Sequence, residues 1–309
     1  MHDAVILRVA LPVPLRRLFD YLPPRDVSIT ALQSGVRLRV PFGRQELTGV
    51  LVTCSRDSEV PVSKLKPTIA VLDETPPLTP VLFDIAQWAA RYYQYPLGEV
   101  FYSVLPHTLR EGKASAVAHE QQWRAIPTDT HALRANSKLL ALYQWLLVHS
   151  ESRDNIIAAG YSSAQIKTLC ERNLLEAFTI EPTAFDTVNL LAEAPLTLNK
   201  EQAVAVAGVV TGKFSSTLLE GVTGSGKTEV YLQIIEKVLA RGEQALVLVP
   251  EIGLTPQTVS RFRRRFQCLV LALHSGLSDG ERYNAWRRAQ RGEAGIVIGT
   301  RSALFTPML

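Results

Sequence analysis

Hydrophobic and polar positions follow two different periods along this chain, and the change of period divides it. Ala4 to Leu11 is almost wholly apolar and meets Pro12 and Pro14, which cannot continue a ladder, so an opening strand is expected there. Val36 to Pro41 alternates strictly, Leu47 to Thr53 is a second β-rich run, and Phe42 to Glu46 between them reads as a hairpin connection. Thr68 to Leu72 adds another run, so the first hundred residues begin as a small strand-rich domain. Leu82, Ile85, Ala86, Ala89, Ala90 and Tyr93 then recur at helical spacing. Trp88, Tyr92, Tyr93 and Tyr95 accompany that helix. Such rings can stack on bases, but a cluster of this kind is more often core packing, and core is the expectation here.

Residues Glu111 to Ala135 are polar and poorly patterned, which marks a linker or an exposed entry to the next domain. Leu139, Leu140, Tyr143, Leu146 and Leu147 make a helix face, Asn155 to Ala159 a short second helix, and Ser162 followed by Gln165 a helix start. A helix to Arg172 and the β-prone Leu175 to Ile180 complete a helix-turn-helix with a wing. Such units often place a helix on DNA, with protein contact or plain spacing as alternatives. After a second linker around Ala192 to Pro195, strand and helix patterns alternate. Strands are expected at Ser216 to Leu219, Ala245 to Val249, Leu269 to Leu273 and Gly295 to Ile298, with helices from Val230 to Leu239, Thr258 to Phe266 and Asp279 to Arg291. That alternation predicts a parallel sheet with helices on both faces and ligands at the carboxyl ends of its strands.

Composition narrows the class. Of 309 residues, 47% are hydrophobic and 20% charged, ordinary for a protein with sizeable cores. The net charge of +4 is too small an excess to identify an anionic partner by itself. Cys54, Cys170 and Cys268 stand too far apart for a C-x-x-C pair and read as reduced core thiols. With no signal pattern and no run of 18 apolar residues, a soluble, cytoplasmic protein without membrane contact is expected.

The most specific chemistry lies in Gly221-Val222-Thr223-Gly224-Ser225-Gly226-Lys227-Thr228, which fits G-x-x-x-x-G-K-[ST], the loop that binds nucleotide triphosphates. Gly224 and Gly226 let successive N–H groups point at phosphates without a Cβ in the way. Lys227 then reaches the β- and γ-phosphates, and Thr228 holds Mg²⁺ brought with ATP. The basic run Arg261, Arg263, Arg264, Arg265 and the pair Arg287, Arg288 read as solvated helix faces, with DNA-backbone contact as the alternative.

The segments GVTGSGKTEVY, LVPEIGLTPQT, LHSGLSDGER and IVIGTRSALFTP resemble, in order and spacing, the first half of a superfamily 2 helicase motor. With Val9 to Tyr21 and Val36 to Gly43 upstream, the likeness extends over essentially the whole chain and is to the PriA replication-restart helicases, also called primosomal protein N′. The resemblance implies a multidomain α/β architecture. Residues 1–110 would be a strand-rich DNA 3′-end-binding domain, 111–192 a linker and winged-helix-like domain, and 193–309 a partial RecA-like lobe. It implies a 3′-to-5′ DNA helicase of replication restart, driven by ATP and Mg²⁺. Gln202 would read the adenine. Thr255, Gln257, Thr258, Thr300, Arg301 and Ser302 would touch single-stranded DNA, and Phe19, Asp20, Gly43 and Lys66 would capture a 3′ end. Forked or single-stranded DNA, primosome proteins and single-strand-binding proteins are the implied partners.

The family's motif order continues past Leu309 into an Asp-Glu pair, a second lobe and a cysteine-rich zinc site. This stretch is therefore expected to be a truncated motor that binds DNA and nucleotide without unwinding. Two rivals remain: a non-catalytic DNA-binding adaptor, and a self-sufficient NTPase that uses Glu251 as its catalytic carboxylate.

Overall fold

Strands need neighbours for their N–H and C=O groups, and the apolar runs near the amino terminus find them in one another. The computed structural model describes residues 5–24, 32–113, 120–128, 133, 137–180 and 184–309. In it β1 (Ile6–Ala10), β2 (Phe19–Tyr21), β3 (Arg37–Phe42), β4 (Gln45–Ser55) and β5 (Ala70–Val71) form an antiparallel sheet in the order β2-β1-β4-β3-β5. Leu7, Val9, Leu11, Leu38, Val40 and Leu51 bury one cluster between them, as the alternation predicts. The run expected from Thr68 to Leu72 pairs only at Ala70 and Val71.

Three helices follow. Thr79 caps α1 (Pro80–Tyr92), accepting from the Leu82 N–H, and Pro80 takes the first position, where its missing N–H costs nothing. Next come α2 (Leu97–Val104) and α3 (His107–Arg110). Gly98 lies so close to β1 that a Cβ there would sit 1.7 Å from the Leu11 carbonyl oxygen. Arg37 is fully buried, pairs with Asp73 at 2.6 Å and donates to the Leu109 carbonyl, so one charge cluster ties β3 to α3.

A second compact unit spans Val117–Thr183. It contains β6 (Glu120–Ala125), α4 (Lys138–Val148), β7 (Glu151–Ser152), α5 (Arg153–Ala158), α6 (Ser163–Glu171) and β8 (Leu175–Ile180), with an antiparallel sheet in the order β7-β6-β8. The stretch from Glu111 to Ala135, expected as a linker or an exposed entry to the next domain, contributes that unit's central strand, so the linker alternative fails there. Its polar residues pair along the whole of β8, and register overrides weak propensity. Residues 114–119, 129–132 and 134–136 of that expected linker lie outside the described residues. Ser162 and Gln165 make the reciprocal cap that the sequence signals.

From residue 184 the chain returns to the first unit, which comprises Met1–Ala116 and Ala184–Leu309. Here α7 (Lys200–Gly208), α8 (Lys227–Leu239), β9 (Ala245–Leu248), α9 (Pro256–Arg265), β10 (Leu269–Leu273), α10 (Asp279–Gln290) and β11 (Ala294–Gly299) build a parallel sheet in the order β10-β11-β9. The strand expected at Ser216 to Leu219 does not form. That segment has no ladder partner among the described residues, and Leu218 is 82% exposed. Tyr283 and Trp286 of α10 enter the same core as Ala10, Val50, Leu82, Ala86 and Phe101, and Gln290 donates to the Pro77 carbonyl at 3.0 Å, so α10 joins the amino-terminal sheet and helices in one interior, while the parallel strands bury their residues in clusters of their own. Among the described residues no helix is long and apolar enough to cross a membrane.

Three local expectations are corrected. Trp88, Tyr92, Tyr93 and Tyr95 are not core, because all four rings are exposed. Cys54 is exposed too, whereas Cys268 is sheltered enough that burial pushes its thiol up to about 11. The arginines of α9 and α10 are not uniformly solvated: Arg265 is buried against Glu229, and Arg287 and Arg288 are half-buried, bonded to Gln290 and Glu293.

Candidate nucleic-acid and nucleotide sites

The antiparallel pairing of β1 with β2 sets Arg8 opposite Asp20 and Val9 opposite Phe19. A register shift of β1 on β4 follows immediately at Arg8 and Val9, the kind of irregularity that re-aims a side chain at a sheet rim. The hairpin from β3 to β4 turns at Gly43, whose φ of +62° suits the first central residue of a tight turn. The isolated bridge of Leu22 to Pro67 brings the segment carrying Lys66 alongside. These connections gather Phe19, Asp20, Gly43 and Lys66, four residues far apart in sequence, around a single cavity of about 560 Å³.

The cavity has a charged side and an apolar side. Arg8 stands 3.9 Å from the Asp20 carboxylate, whose side chain is only 15% exposed. Phe19 meets Phe42 edge-on with ring centroids 5.4 Å apart, and the Arg17 guanidinium lies 4.9 Å from the Phe19 centroid. Lys64 and Lys66 complete the rim. Burial raises the Tyr21 hydroxyl above its ordinary range, and that hydroxyl donates to the Pro41 carbonyl. A hydroxyl donor, an aromatic ring and a phosphate would each find a partner here. Arg8, Arg17 and Lys64 escape sequence reasoning, because only strand register brings them to the cavity.

The phosphate loop has the geometry its glycines imply. Gly224 and Gly226 have φ of +84° and +80°, and Gly226 leads into α8 with no side-chain cap; the Glu229 N–H donates to the Gly226 carbonyl, which leaves the Lys227 and Thr228 N–H groups for an anion. A Cβ at Gly224 would meet nothing within 4 Å, whereas one at Gly226 would strike Gln202 at 2.4 Å. Thr223, Gly224, Ser225, Gly226, Lys227 and Thr228 line a cavity of about 740 Å³, and the Lys227 ammonium folds back onto the Gly221 and Val222 carbonyls. The buried Ser225 hydroxyl has no partner among the described residues. An open cradle, uncapped N–H groups and an orphaned hydroxyl fit a polyphosphate with its metal.

Gln202 caps α7 reciprocally with Asn199, and its side-chain amide donates to the Ser225 carbonyl at 2.9 Å, so it braces the loop. Arg261 and Arg264 of α9 line the same cavity, and Arg265 beneath them pairs with Glu229. Burial pushes the Glu229 carboxyl up. Bonds from Arg265, Gln233 and the Leu196 N–H outweigh it and leave the group below its ordinary value. The sequence hides this role of α9, since a basic run on a helix has no address until the fold places it.

At the carboxyl ends of β9 and β11 the remaining candidates converge. Thr255 caps α9 by accepting from the Thr258 N–H at 3.2 Å, Thr258 donates to the Gly253 carbonyl at 2.9 Å, and Gln257 is exposed beside them. Thr300, Arg301 and Ser302 follow β11, and Arg301 reaches Glu251 at 3.0 Å, joining the two segments in an exposed ion pair. A hydrogen bond within its own residue and the Arg301 bond lower the Glu251 carboxyl, and Glu251 is not among the residues lining the phosphate-loop cavity.

Two family profiles match this chain: a 3'DNA-binding domain (3'BD) of PriA over residues 8–106, and a DEAD/DEAH box helicase over residues 199–309. The replication restart protein PriA of Haemophilus influenzae is 43% identical over 97% of this chain and 42% of its own length. Its counterpart in Bacillus subtilis is 31% identical over 94% of this chain and 45% of its own length. That of Chlamydia trachomatis is 32% identical over 95% and 41%. The chain spans less than half the length of these curated relatives.

Proposed function

Because this chain belongs to the PriA family of replication restart proteins and matches the amino-terminal part of its members, we propose that it reads the 3′ end of DNA and couples that contact to an ATP-binding helicase lobe. The observation that carries the reading is the convergence of Phe19, Asp20, Gly43 and Lys66 on one cavity. In this role the Asp20 carboxylate accepts a hydrogen bond from a terminal 3′-hydroxyl, Phe19 stacks on the last base, and Lys66 neutralises a nearby phosphate. Residues 1–110 serve as the end-binding domain, 111–192 carry a winged-helix-like module, and 193–309 form part of a RecA-like lobe.

In that lobe the Gly221 to Thr228 loop cradles the phosphates, Lys227 swings from the loop carbonyls to the β- and γ-phosphates, and Thr228 holds Mg²⁺. Bound ATP supplies the energy of phosphoryl transfer, which positioning and charge neutralisation promote. Gln202 senses nucleotide through its bond to Ser225, beside an adenine. Thr255, Gln257, Thr258, Thr300, Arg301 and Ser302 lie along the DNA backbone. The whole protein would then be a 3′-to-5′ helicase acting in the cytoplasm at forked DNA with primosome and single-strand-binding proteins. A polypeptide of these 309 residues alone is expected to bind DNA and nucleotide without separating strands, since separation takes two lobes closing on ATP.

The nucleotide half is tested by titrating the polypeptide with a fluorescent ADP analogue in the presence of Mg²⁺. Lys227→Ala should weaken binding about tenfold or more, in line with the loss of a charge-assisted bond of roughly 1.5–3 kcal/mol. Equal affinity in the variant would overturn the loop assignment.

A further inference from the structure

A cavity of about 190 Å³ is shared by α3, α10 and the loops that follow β10 and β11. His107 and Arg110 reach it from α3, Arg282 and Trp286 from α10, and His274 and Ser302 from the two loops. Parallel sheets take their ligands at that end of the strands. Asp279 is the single carboxylate among the lining residues, and it stands 3.3 Å from the His107 imidazole with its side chain 63% exposed. Two guanidinium groups and two imidazoles therefore share the cavity with one carboxylate.

Two observations point to an anion. Trp286 is only 4% exposed, yet its indole N–H is buried without a partner among the described residues. Such a donor costs free energy until an acceptor reaches it. Arg110 and Arg282 meanwhile stand close enough to oppose each other: burial first, and then the Arg282 charge, pull the Arg110 guanidinium below its ordinary value, while Tyr102 and Asp279 offset part of that. Both arginines are already anchored. Arg110 donates to the Leu105 and Ser103 carbonyls at 2.6 and 3.0 Å, and Arg282 to the His274 carbonyl at 3.2 Å. A guanidinium has five donors in a rigid fork, so each keeps some for a phosphate and loses little freedom on binding it. The amino terminus of α10 adds nothing, since Ser278 and Glu281 cap it reciprocally, and the ligand falls to the side chains.

We propose that this cavity receives a backbone phosphate of single-stranded DNA between Arg110 and Arg282, so that the amino-terminal helices grip the strand carried by the helicase lobe. The proposal rests on the reading that Thr300, Arg301 and Ser302 lie along DNA, and it extends that path across to α3. Ser302 is exposed and lines the cavity, so a strand lying over it has a phosphate at the opening. The volume admits one phosphate with part of its sugar and not a base pair, which selects an unpaired strand.

The test uses the 309-residue chain and a small circular single strand, which offers no 3′ end to the amino-terminal pocket. Photocrosslinking from azidophenacyl groups on backbone phosphorothioates should mark the peptides carrying Arg110 and Arg282 as well as Arg301 and Ser302. Arg282→Gln should lower the salt dependence of binding by about one. Asp279→Asn removes the carboxylate of the cavity and should tighten binding about threefold, a gain that damage to the fold does not produce. Crosslinks confined to Arg301 and Ser302, or a salt dependence and an affinity that the two variants leave unchanged, overturn the phosphate site while the DNA path over the lobe stands. Crosslinks that miss Arg301 and Ser302 as well overturn that path and the proposal together.

Discussion

Arg8 and Asp20 show how a single contact shapes what the amino-terminal pocket accepts. A carboxylate alone would welcome a 3′-hydroxyl and repel a 3′-phosphate, but a guanidinium 3.9 Å away offsets part of that repulsion. Opposite charges at about 4 Å interact by about 1 kcal/mol in water and several times more where solvent is partly excluded. Arg8 is partly exposed, so the lower end of that range applies. Replacing it should therefore sharpen discrimination: Arg8→Ala is expected to widen the ratio of 3′-hydroxyl to 3′-phosphate affinity about threefold to tenfold, measured by competition. An unchanged ratio would mean that the Arg8 charge is not felt in the pocket. Phe19, Asp20, Gly43 and Lys66 were legible through motif resemblance. Arg8 and Arg17 were not, because a strand arginine among apolar residues has no partner until antiparallel register supplies one.

Among the elements, those with strong periodicity match the sequence reading: α1, α4, α8 and α10 and the β3–β4 hairpin all fall near their expected places. The misreadings have physical causes. Ser216 to Leu219 is apolar enough for a strand, but a strand is a paired object and this segment has no partner among the described residues. The polar β6 is a strand because β7 and β8 flank it. Composition is equally silent on whether the α1 aromatics face inward. In α8 and α9, Glu229 and Arg265 form a nearly buried pair whose folded carboxyl value lies below the ordinary 4.5. A depressed carboxyl contributes stability that is present above 4.5 and is lost as pH falls through the folded value. Glu229→Gln leaves the guanidinium buried without its counter-charge and should cost about 3 kcal/mol near pH 7, by urea denaturation. The gap between native and variant should narrow below pH 4.5, and a gap that is constant with pH would refute the linkage.

At the scale of the whole molecule, the sequence suggests a boundary between the strand-rich segment and the parallel sheet, yet Tyr283 and Trp286 stand in one core with α1 and α2. Contacts of this kind join residues some two hundred positions apart and leave no local pattern to read. The consequence is cooperative: the amino-terminal sheet and the parallel sheet should unfold together, and the unit spanning Val117–Thr183 by itself. Trp286→Ala should lower the stability of the larger unit by about 3–5 kcal/mol, the range for truncating a large buried aromatic, and shift the transitions of both sheets together. Hydrogen exchange resolved by segment reads this directly. Protection lost around α10 alone, with β1 to β4 unaffected, would contradict the shared core.

In the proposed function the amino-terminal cavity recognises a DNA 3′ end through Asp20 without help from nucleotide. The most direct measurement is fluorescence anisotropy of the 309-residue chain, with no ATP or ADP present, on two single strands that differ only in a 3′-hydroxyl or a 3′-phosphate. The native chain should prefer the hydroxyl end by about tenfold, the scale of one hydrogen bond to a charged acceptor, and Asp20→Ala should bind both ends alike. Equal affinity of the native chain for the two ends, or a preference that persists in Asp20→Ala, would contradict the account.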